Sequence, residues 1–256
     1  MRLNESRSDF VNSLAKGLSV IASFGSDRPE MTISEVADLN DLSRASARRI
    51  LLTLTELGYV KERGTKYSLS PKTLSLGYGF LSSAGVADVI APHIAELSAD
   101  IRESVSAAVL DGSEVIYVAR SAPTKVMQVR ISIGSRFPAA ATALGRALLS
   151  DLDEASLLDL LKSKPPQMAT PFTKTAIKDL VSAIDLVRKQ GFAFVDQELE
   201  LGLKSIAVPV RGGNGAVIAS INVATVGKTS KTTLERSLLP ALRACAKEIE
   251  SELALL

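Results

Sequence analysis

LSRASARRILLTLTELGYVKERGTK, Leu42 to Lys66, is the stretch from which the rest of the fold can be read outward. Ser43 carries the short oxygen-bearing side chain of a helix N-cap, and the turn after it holds Arg44 and Ser46 with no Pro or Gly. Ile50, Leu51, Leu54 and Leu57 recur at helical spacing, which predicts one buried stripe. Arg44 and Arg48 stand four apart at the N-terminal end, on a face away from that stripe, with Arg49 beside them. Gly58 supplies the helix stop. Beyond it YVKERGTKYSLS reads as two short strands around a Gly-containing turn that carries Lys61, Arg63 and Lys66. A basic helix front followed by a basic hairpin is what a winged helix-turn-helix presents to a major groove and its flanking phosphates.

The flanks fit that module. Phe10, Leu14, Leu18, Ile21 and Phe24 predict one apolar face of a helix over Phe10 to Phe24, with Gly25 as its cap and SDRPEM as a turn. Thr32, with Glu35 three residues on, is a capping box that opens a second, short helix ended by Asn40-Asp41. Met1 to Asp9 is polar and reads as a frayed arm. PKTLSLGYGFLSS, from Pro71 to Ser83, predicts a connecting helix with Pro71 at its start, and Gly85 marks the boundary. Three regions are therefore expected: a winged helix-turn-helix over 1–70, a linker helix over 71–85 and a second domain over 86–256.

In the second domain, an amphipathic helix over Val86 to Glu103 gives way to strand periodicity. SAAVLDGSEVIYVARSA is two β-runs joined at Asp111-Gly112, and VMQVRISIG is expected to continue the sheet. AAATALGRALLSDL and DEASLLDLLKS read as helices, PPQMATPF as a loop, and Lys174 to Gln190 as a helix closed by Gly191. Residues 192–225 then give strand, acidic loop, strand, Gly-rich hairpin and strand, before a last helix from Lys231 to Leu256. Helices flanking one antiparallel sheet define an α+β sensor-like domain.

Bulk composition adds limits. The net charge is only +2 over 256 residues, but its distribution is uneven. Six basic residues face two acids between Arg44 and Lys66, whereas 19 bases face 19 acids from residue 79 onward. The single Cys245 excludes a disulfide framework within the chain and fits a reducing cytosol. Neither a signal peptide nor an apolar run of spanning length is found, so a soluble cytoplasmic protein with no membrane partner is expected. Trp is absent and aromatics are few, against single-strand binding by base stacking.

Several chemical motifs lose to plainer readings. GKT at Gly227 to Thr229 follows a strand, but Asn222 stands where a P-loop requires Gly. Asp196, Glu198 and Glu200 alternate and would share one side of an extended chain. With no His nearby they read as a solvated loop rather than a metal or acid–base site. His93 in its amphipathic helix reads as structural, and Cys245 has no His in its segment to activate it. No nucleophile, base or metal set points to an enzyme, and no cofactor is implied. Arg130 and Arg136 remain open between pairing with an organic acid and a surface role.

Taken together, SLAKGLSVIASFG, TISEVADLNDLSRASARRILLTLTELGYV and YSLSPKTLSLGYGFLSS resemble the DNA-binding half and linker of the IclR family of bacterial transcription regulators. GSRFPAAATALGRALL and DQELELGLKSIAVPV resemble the two most recognisable segments of that family's effector domain, and ASINVAT with the DNA-binding half resembles its aromatic-acid catabolism subgroup. The resemblance implies a GAF-like effector domain, a homodimer or dimer of dimers, double-stranded DNA as partner and a small carboxylic acid as effector. A protocatechuate or 4-hydroxybenzoate type of acid is the first choice. Another carboxylic-acid pathway, or a ligand-independent architectural DNA binder, is the alternative. It places the recognition helix on Ser43 to Leu57, with Ser43, Arg44, Ser46, Arg48 and Arg49 at the groove and Lys61, Arg63 and Lys66 on the wing. Its effector positions fall on Met127, Val129, Thr142, Ala143, Leu144, Asp196, Ser205, Asn222 and Ala224. The family's T-A-x-G-K-A segment is TALGRA here, so a ligand carboxylate is expected at the helix-start amides of Ala143 and Leu144. Ser205 replaces a pocket Cys common in relatives, and Asn222 and Ala224 replace the two Ser of the family's L-S-V-S strand.

Overall fold

A computed structural model of the chain describes residues 10–25, 27–76, 85–122, 131–227 and 230–255. The chain divides into two units, Met1–Phe80 and Leu81–Leu256.

The first unit runs α1 (Asn12–Ala22), β1 (Glu30–Thr32), α2 (Ile33–Leu39), α3 (Arg44–Glu56), β2 (Val60–Arg63) and β3 (Lys66–Leu69). Thr32 closes the expected capping box: its Oγ1 accepts the Glu35 amide at 3.4 Å while the Glu35 carboxylate accepts the Thr32 amide at 2.7 Å. That reciprocal pair fixes where α2 starts. Ser43 caps α3 by accepting the Ser46 amide at 3.2 Å. At the other end Gly58 takes φ +80° and lets the Tyr59 amide turn back to the Leu54 carbonyl at 2.8 Å. Val20, Met31, Val36, Ala47, Leu51, Leu54, Val60 and Tyr67 close the core.

Four expectations for this unit are corrected. Of the predicted apolar face, Leu14 and Leu18 are 61% and 53% exposed and Phe24, just past the end of α1, is buried, while within the helix the buried residue is Val20, which that face did not include. Leu57 lies past the last turn of α3, as its C-cap, and is exposed. α1 ends at Ser23, and Gly25 bridges to Arg28 rather than capping the helix. Glu30 and Met31, read as part of a turn, form with the N-cap Thr32 a strand that pairs with β3 (Met31↔Tyr67), giving the sheet order β1-β3-β2. Three residues are too few to show a strand's period of two. Pro71–Thr73 forms a 3-10 turn and residues 74–76 are helical, while 77–84 of the expected connecting helix lie outside the described residues.

The second unit comprises α4 (Val86–Ile101), β4 (Ser104–Asp111), β5 (Glu114–Ser121), β6 (Arg136–Pro138), α5 (Ala143–Leu149), α6 (Glu154–Ser163), α7 (Ile177–Gln190), β7 (Ala193–Asp196), β8 (Leu203–Arg211), β9 (Val217–Val226), α8 (Lys231–Ser237) and α9 (Leu239–Leu253). The strands form one antiparallel sheet in the order β6-β5-β4-β9-β8-β7. Because side chains alternate along each strand, the sheet feeds two cores. Val105, Ala107, Ile206, Val208, Ile221 and Val223 pack against α4 and α9. Ala108, Tyr117, Val195 and Ala207 pack on the opposite side, with α5, α6 and α7.

Here too the elements shift. The edge strand is Arg136–Pro138 (Val115↔Phe137), whereas 131–134 of VMQVRISIG is a loop and 126–130 lies outside the described residues. The hairpin turn is Gly112-Ser113, with Gly112 at φ +57° and Asp111 already paired to Glu114. α7 begins at Ile177, not Lys174. The last helix is broken at Leu238, since Pro240 has no N–H to give and so starts α9 afresh. Among the described residues no helix is long and apolar enough to cross a membrane.

Candidate nucleic-acid interface and ligand cavity

α3 presents Ser43, Arg44, Arg48 and Arg49 exposed at its N-terminal half, with Ser46 half-buried. The wing adds Lys61, Arg63 and Lys66, all exposed. None of these six cations enters an ion pair among the described residues. Arg63 and Lys66 are directly opposed at the wing tip around Gly64 (φ +62°), a like-charge pairing that an external anion would relieve. The one acid on the wing, Glu62, is turned to the Tyr67 hydroxyl, which donates to it at 2.8 Å. The far end of α3 is pinned from the next segment. Lys72 Nζ donates to the Leu57 carbonyl at 2.9 Å and sits 4.9 Å from the Tyr59 ring, while the Thr73 hydroxyl donates to the Tyr59 carbonyl at 3.0 Å. A cation on the last carbonyls of a helix is favourable, so α3 is fixed at the end that does not carry the arginines.

In the second unit a cavity of about 30 Å³ opens on the sheet face beneath α5. Ser104, Ser106, Ser205, Asn222 and Ala224 form its floor, Tyr117 and Arg120 one wall, Val195, Leu199 and Leu203 the other, and Ala141, Thr142 and Ala143 its roof. Five of the positions expected from sequence therefore meet there: Thr142, Ala143, Ser205, Asn222 and Ala224. Leu144 is not in the lining; its carbonyl accepts the Ser220 hydroxyl at 3.0 Å and so ties α5 to β9. Asp196 faces away. It pairs in register with Lys204 while its neighbour Val195 pairs with Ser205, and alternation sends Asp196 to the other side of the sheet, 3.6 Å from Lys204 Nζ. Met127, Val129 and Arg130 lie outside the described residues.

The roof owes its shape to two residues. Thr142 caps α5, accepting the Gly145 amide at 3.0 Å, which leaves the Ala143 and Leu144 amides without a partner among the described residues. Gly145 packs so close to the preceding turn that a Cβ there would stand 2.1 Å from the Ala139 carbonyl oxygen. Sequence reading missed Arg120, the one charged side chain among the described lining residues. Burial pushes its guanidinium pKa down, and burial pushes the Tyr117 hydroxyl up to about 12. Tyr117 is thus neutral and available as a hydrogen-bond donor. Arg120's position in an otherwise apolar β-run was the available signal. Arg136 lies on the surface instead, bound to Asp111 at 2.6 Å and Glu114 at 2.9 Å.

The acidic loop after β7 corrects the solvated-loop expectation. Glu198 is 2% exposed and receives both Arg146 Nη atoms, at 2.8 and 2.6 Å, together with the Lys174 amide at 2.9 Å and Lys174 Nζ at 3.0 Å. Burial by itself would raise this carboxyl, but the Arg146 fork and the Lys174 donors outweigh it and hold it below the ordinary value. Arg146 Nε donates to the Ala140 carbonyl at 2.8 Å, so one side chain joins α5, the roof turn and the loop that carries Leu199. A single Arg inside the otherwise apolar ALGRALL was the signal that a buried acid must answer it. Cys245 is buried, which with Glu248 and Glu96 pushes its thiol up to about 12, far from a nucleophile. His93 bridges α4 to α9, 2.9 Å from Glu252 and 3.7 Å from Glu248.

A winged helix-turn-helix whose third helix carries cations with no ion pair among the described residues, in one chain with an α+β domain that holds a small cavity, is the build of a ligand-responsive transcription regulator. Residues 13–64 match the IclR helix-turn-helix domain, and residues 78–251 match the domain described as bacterial transcriptional regulator IclR C-terminal. The chain belongs to the IclR family, a family of regulators and not of enzymes. It is 40% identical to the Pca regulon regulatory protein of Pseudomonas putida, over 94% of this chain and 84% of that protein. A protein of solved structure from Rhodococcus sp. RHA1, RHA06195, is 44% identical, superimposes with a TM-score of 0.84, and matches over 96% of this chain and 99% of its own. The inducer-binding domain of the Acinetobacter transcription factor PobR, solved as a double mutant with 3-hydroxybenzoic acid, is 32% identical with a TM-score of 0.60. That match covers 64% of this chain and 96% of the domain.

Proposed function

We propose that this regulator binds palindromic DNA as a homodimer or dimer of dimers, working in the cytoplasm and controlling genes of aromatic-acid catabolism. α3 enters the major groove with Ser43, Arg44, Ser46, Arg48 and Arg49, while Lys61, Arg63 and Lys66 hold flanking phosphates. The carrying observation is that all six cations are exposed and none is neutralised by a neighbouring acid among the described residues. Residues 71–85 act as the linker between this unit and the effector domain of 86–256.

The effector is an aromatic or other small carboxylic acid held in the sheet cavity by Thr142, Ala143, Ser205, Asn222 and Ala224, with the Leu144 amide, Met127 and Val129 contributing. Arg120 and the open amides of Ala143 and Leu144 favour an anion. Support for an aromatic acid comes from the names of the Pca regulon regulator and the PobR complex with 3-hydroxybenzoic acid. Binding the acid with different affinity in two arrangements of the linker shifts the population competent for DNA, and a few kcal/mol suffices. The experiment is a gel shift on DNA upstream of this protein's own gene, against a scrambled duplex, with and without a panel of aromatic acids. Specific binding altered by one acid is the expected result. Equal binding to scrambled DNA overturns the DNA reading, and specific binding indifferent to every acid overturns the effector reading.

A further inference from the structure

One position on the presented face of α3 carries no polar group. Ala45, the second residue of α3, is exposed, with the exposed Arg44, Arg48 and Arg49 around it. Successive helical residues turn by about 100°, and the buried Ala47, Leu51 and Leu54 mark the inward direction. Measured from that direction, Ala45 and Arg49 stand roughly 150–170° around the axis, Arg48 roughly 90° and Arg44 roughly 50°. The flanks agree. Arg49, with Ser46 and Thr53, lines a groove shared with Leu14 and Leu18 of α1. Arg48 lies on the other side, toward the wing, where its charge opposes the rise that burial and Glu62 give the Tyr67 hydroxyl pKa. Ala45 therefore stands between two basic flanks on the outermost line of the helix, in the turn next to the Ser43 cap.

That placement decides what Ala45 can meet. The inward side of α3 is filled by the core of its own unit, so only the outward side can enter a major groove, and the first turns of such a helix meet the base edges. A long side chain at position 45 would hold the backbone away from the groove floor. Alanine lets the helix approach and offers only a methyl group. The apolar group that base pairs present in the major groove is the C5-methyl of thymine, while the other positions there are hydrogen-bonding edges that suit the arginines. An exposed alanine also favours helix formation, but propensity is indifferent to the base opposite.

We propose that Ala45 is a specificity-determining residue of the operator contact, its Cβ packing on the C5-methyl of a thymine in each half-site. This deepens, and rests on, the DNA reading above. The arginines on either side grip guanine edges or phosphates, while Ala45 reads the position between them. Cytosine is rejected there, because it has no methyl and presents an amino donor that alanine cannot answer. Size has its own consequence: a residue larger than alanine at this exposed position leaves α3 folded and keeps it from seating in the groove.

The test uses the full-length protein and the operator footprinted upstream of its own gene. Each thymine of the half-sites is replaced in turn by deoxyuridine, which lacks only the C5-methyl, and affinities are read by fluorescence anisotropy. In the wild type one thymine per half-site should be sensitive, its replacement weakening binding about 4-fold, the worth of one buried methyl. In Ala45→Gly the same replacement should matter by less than about 1.5-fold, because the partner of the methyl is gone. Ala45→Leu serves if glycine frays α3. Its thermal midpoint should stay at the wild-type value, since leucine is a good helix former, while operator affinity falls by at least about 10-fold. No sensitive thymine in the wild type, a sensitivity that survives in Ala45→Gly, or full operator affinity in Ala45→Leu overturns the role of Ala45 and leaves the DNA reading standing. Equal binding of the wild type to the upstream DNA and to a scrambled duplex overturns the DNA reading, and the role of Ala45 falls with it.

Discussion

Glu198 accepts hydrogen bonds from Arg146 Nη1 and Nη2 and from the Lys174 amide and ammonium, so every oxygen of a fully buried carboxylate is occupied. Removing its charge strands the Arg146 guanidinium, itself 2% exposed, in the interior. We expect Glu198→Gln to cost about 3–5 kcal/mol in denaturant unfolding near neutral pH. The pH dependence has a defined sign. This carboxyl binds protons more weakly in the folded chain than its ordinary value of 4.5 would allow, so it favours folding wherever it is ionised. That contribution is complete above the ordinary value and is lost as pH falls below it through the folded value. The stability difference between wild type and Glu198→Gln should therefore shrink on acidification through that window and stay flat above it. Gly145 makes a separate expectation, from space rather than charge. An added methyl would stand 2.1 Å from the Ala139 oxygen and 2.3 Å from its Cα, both backbone atoms that cannot swing aside. Gly145→Ala should lower stability by about 3 kcal/mol, the upper end of what overpacking typically costs, read in the same unfolding experiment, and should weaken acid binding because the cavity roof must shift.

At the scale of elements, α3 is held by a cap at one end and a left-handed glycine at the other. Gly58→Ala separates conformation from crowding. Its Cβ would meet only Lys72 Cδ at 3.6 Å, an ordinary contact, but φ +80° is disfavoured for any residue with a side chain. A loss of about 1–2 kcal/mol by thermal unfolding is expected, whereas a negligible change would mean that the turn relaxes freely. The same ends of α3 were legible from sequence, because Ser43, Gly58 and the Thr32/Glu35 box are local signals whose geometry needs no distant partner. Elements set by tertiary pairing were not. β1 and β6 are three residues each and exist only because β3 and β5 offer free edges. Leu14 and Leu18 share one apolar face by period, yet which stripe of α1 is buried was decided by where Met31, Leu51 and Val60 lie. Glu198 read as solvated because its partner is 52 positions away in sequence. The sheet cavity was half legible. Ser205, Asn222 and Ala224 fell in recognisable strands, but the register that brings Arg120 alongside them belongs to pairing across three strands.

At the scale of the whole molecule, a net charge of +2 is too small to draw the chain to DNA as a body, so affinity must come from the local cluster on α3 and the wing. The two parts of that cluster should separate by experiment. Lys61, Arg63 and Lys66 lie on a hairpin, where a side chain reaches phosphate and carries no sequence information. Alanine at any of them should weaken operator and scrambled duplex alike and reduce the slope of log affinity against log salt by about one. Arg44 and Arg48 project from the first half of a capped helix, the part that meets base edges in this kind of docking. Alanine at whichever of them grips a guanine should cost about 1–3 kcal/mol on the operator and far less on scrambled DNA, so that specificity falls while the salt slope barely moves. Gel shifts across a salt series with both duplexes measure all four quantities. If alanine at every one of the five positions lowered both affinities equally, α3 would be holding phosphates only, and the operator would have to be read through the shape of the DNA rather than its base edges.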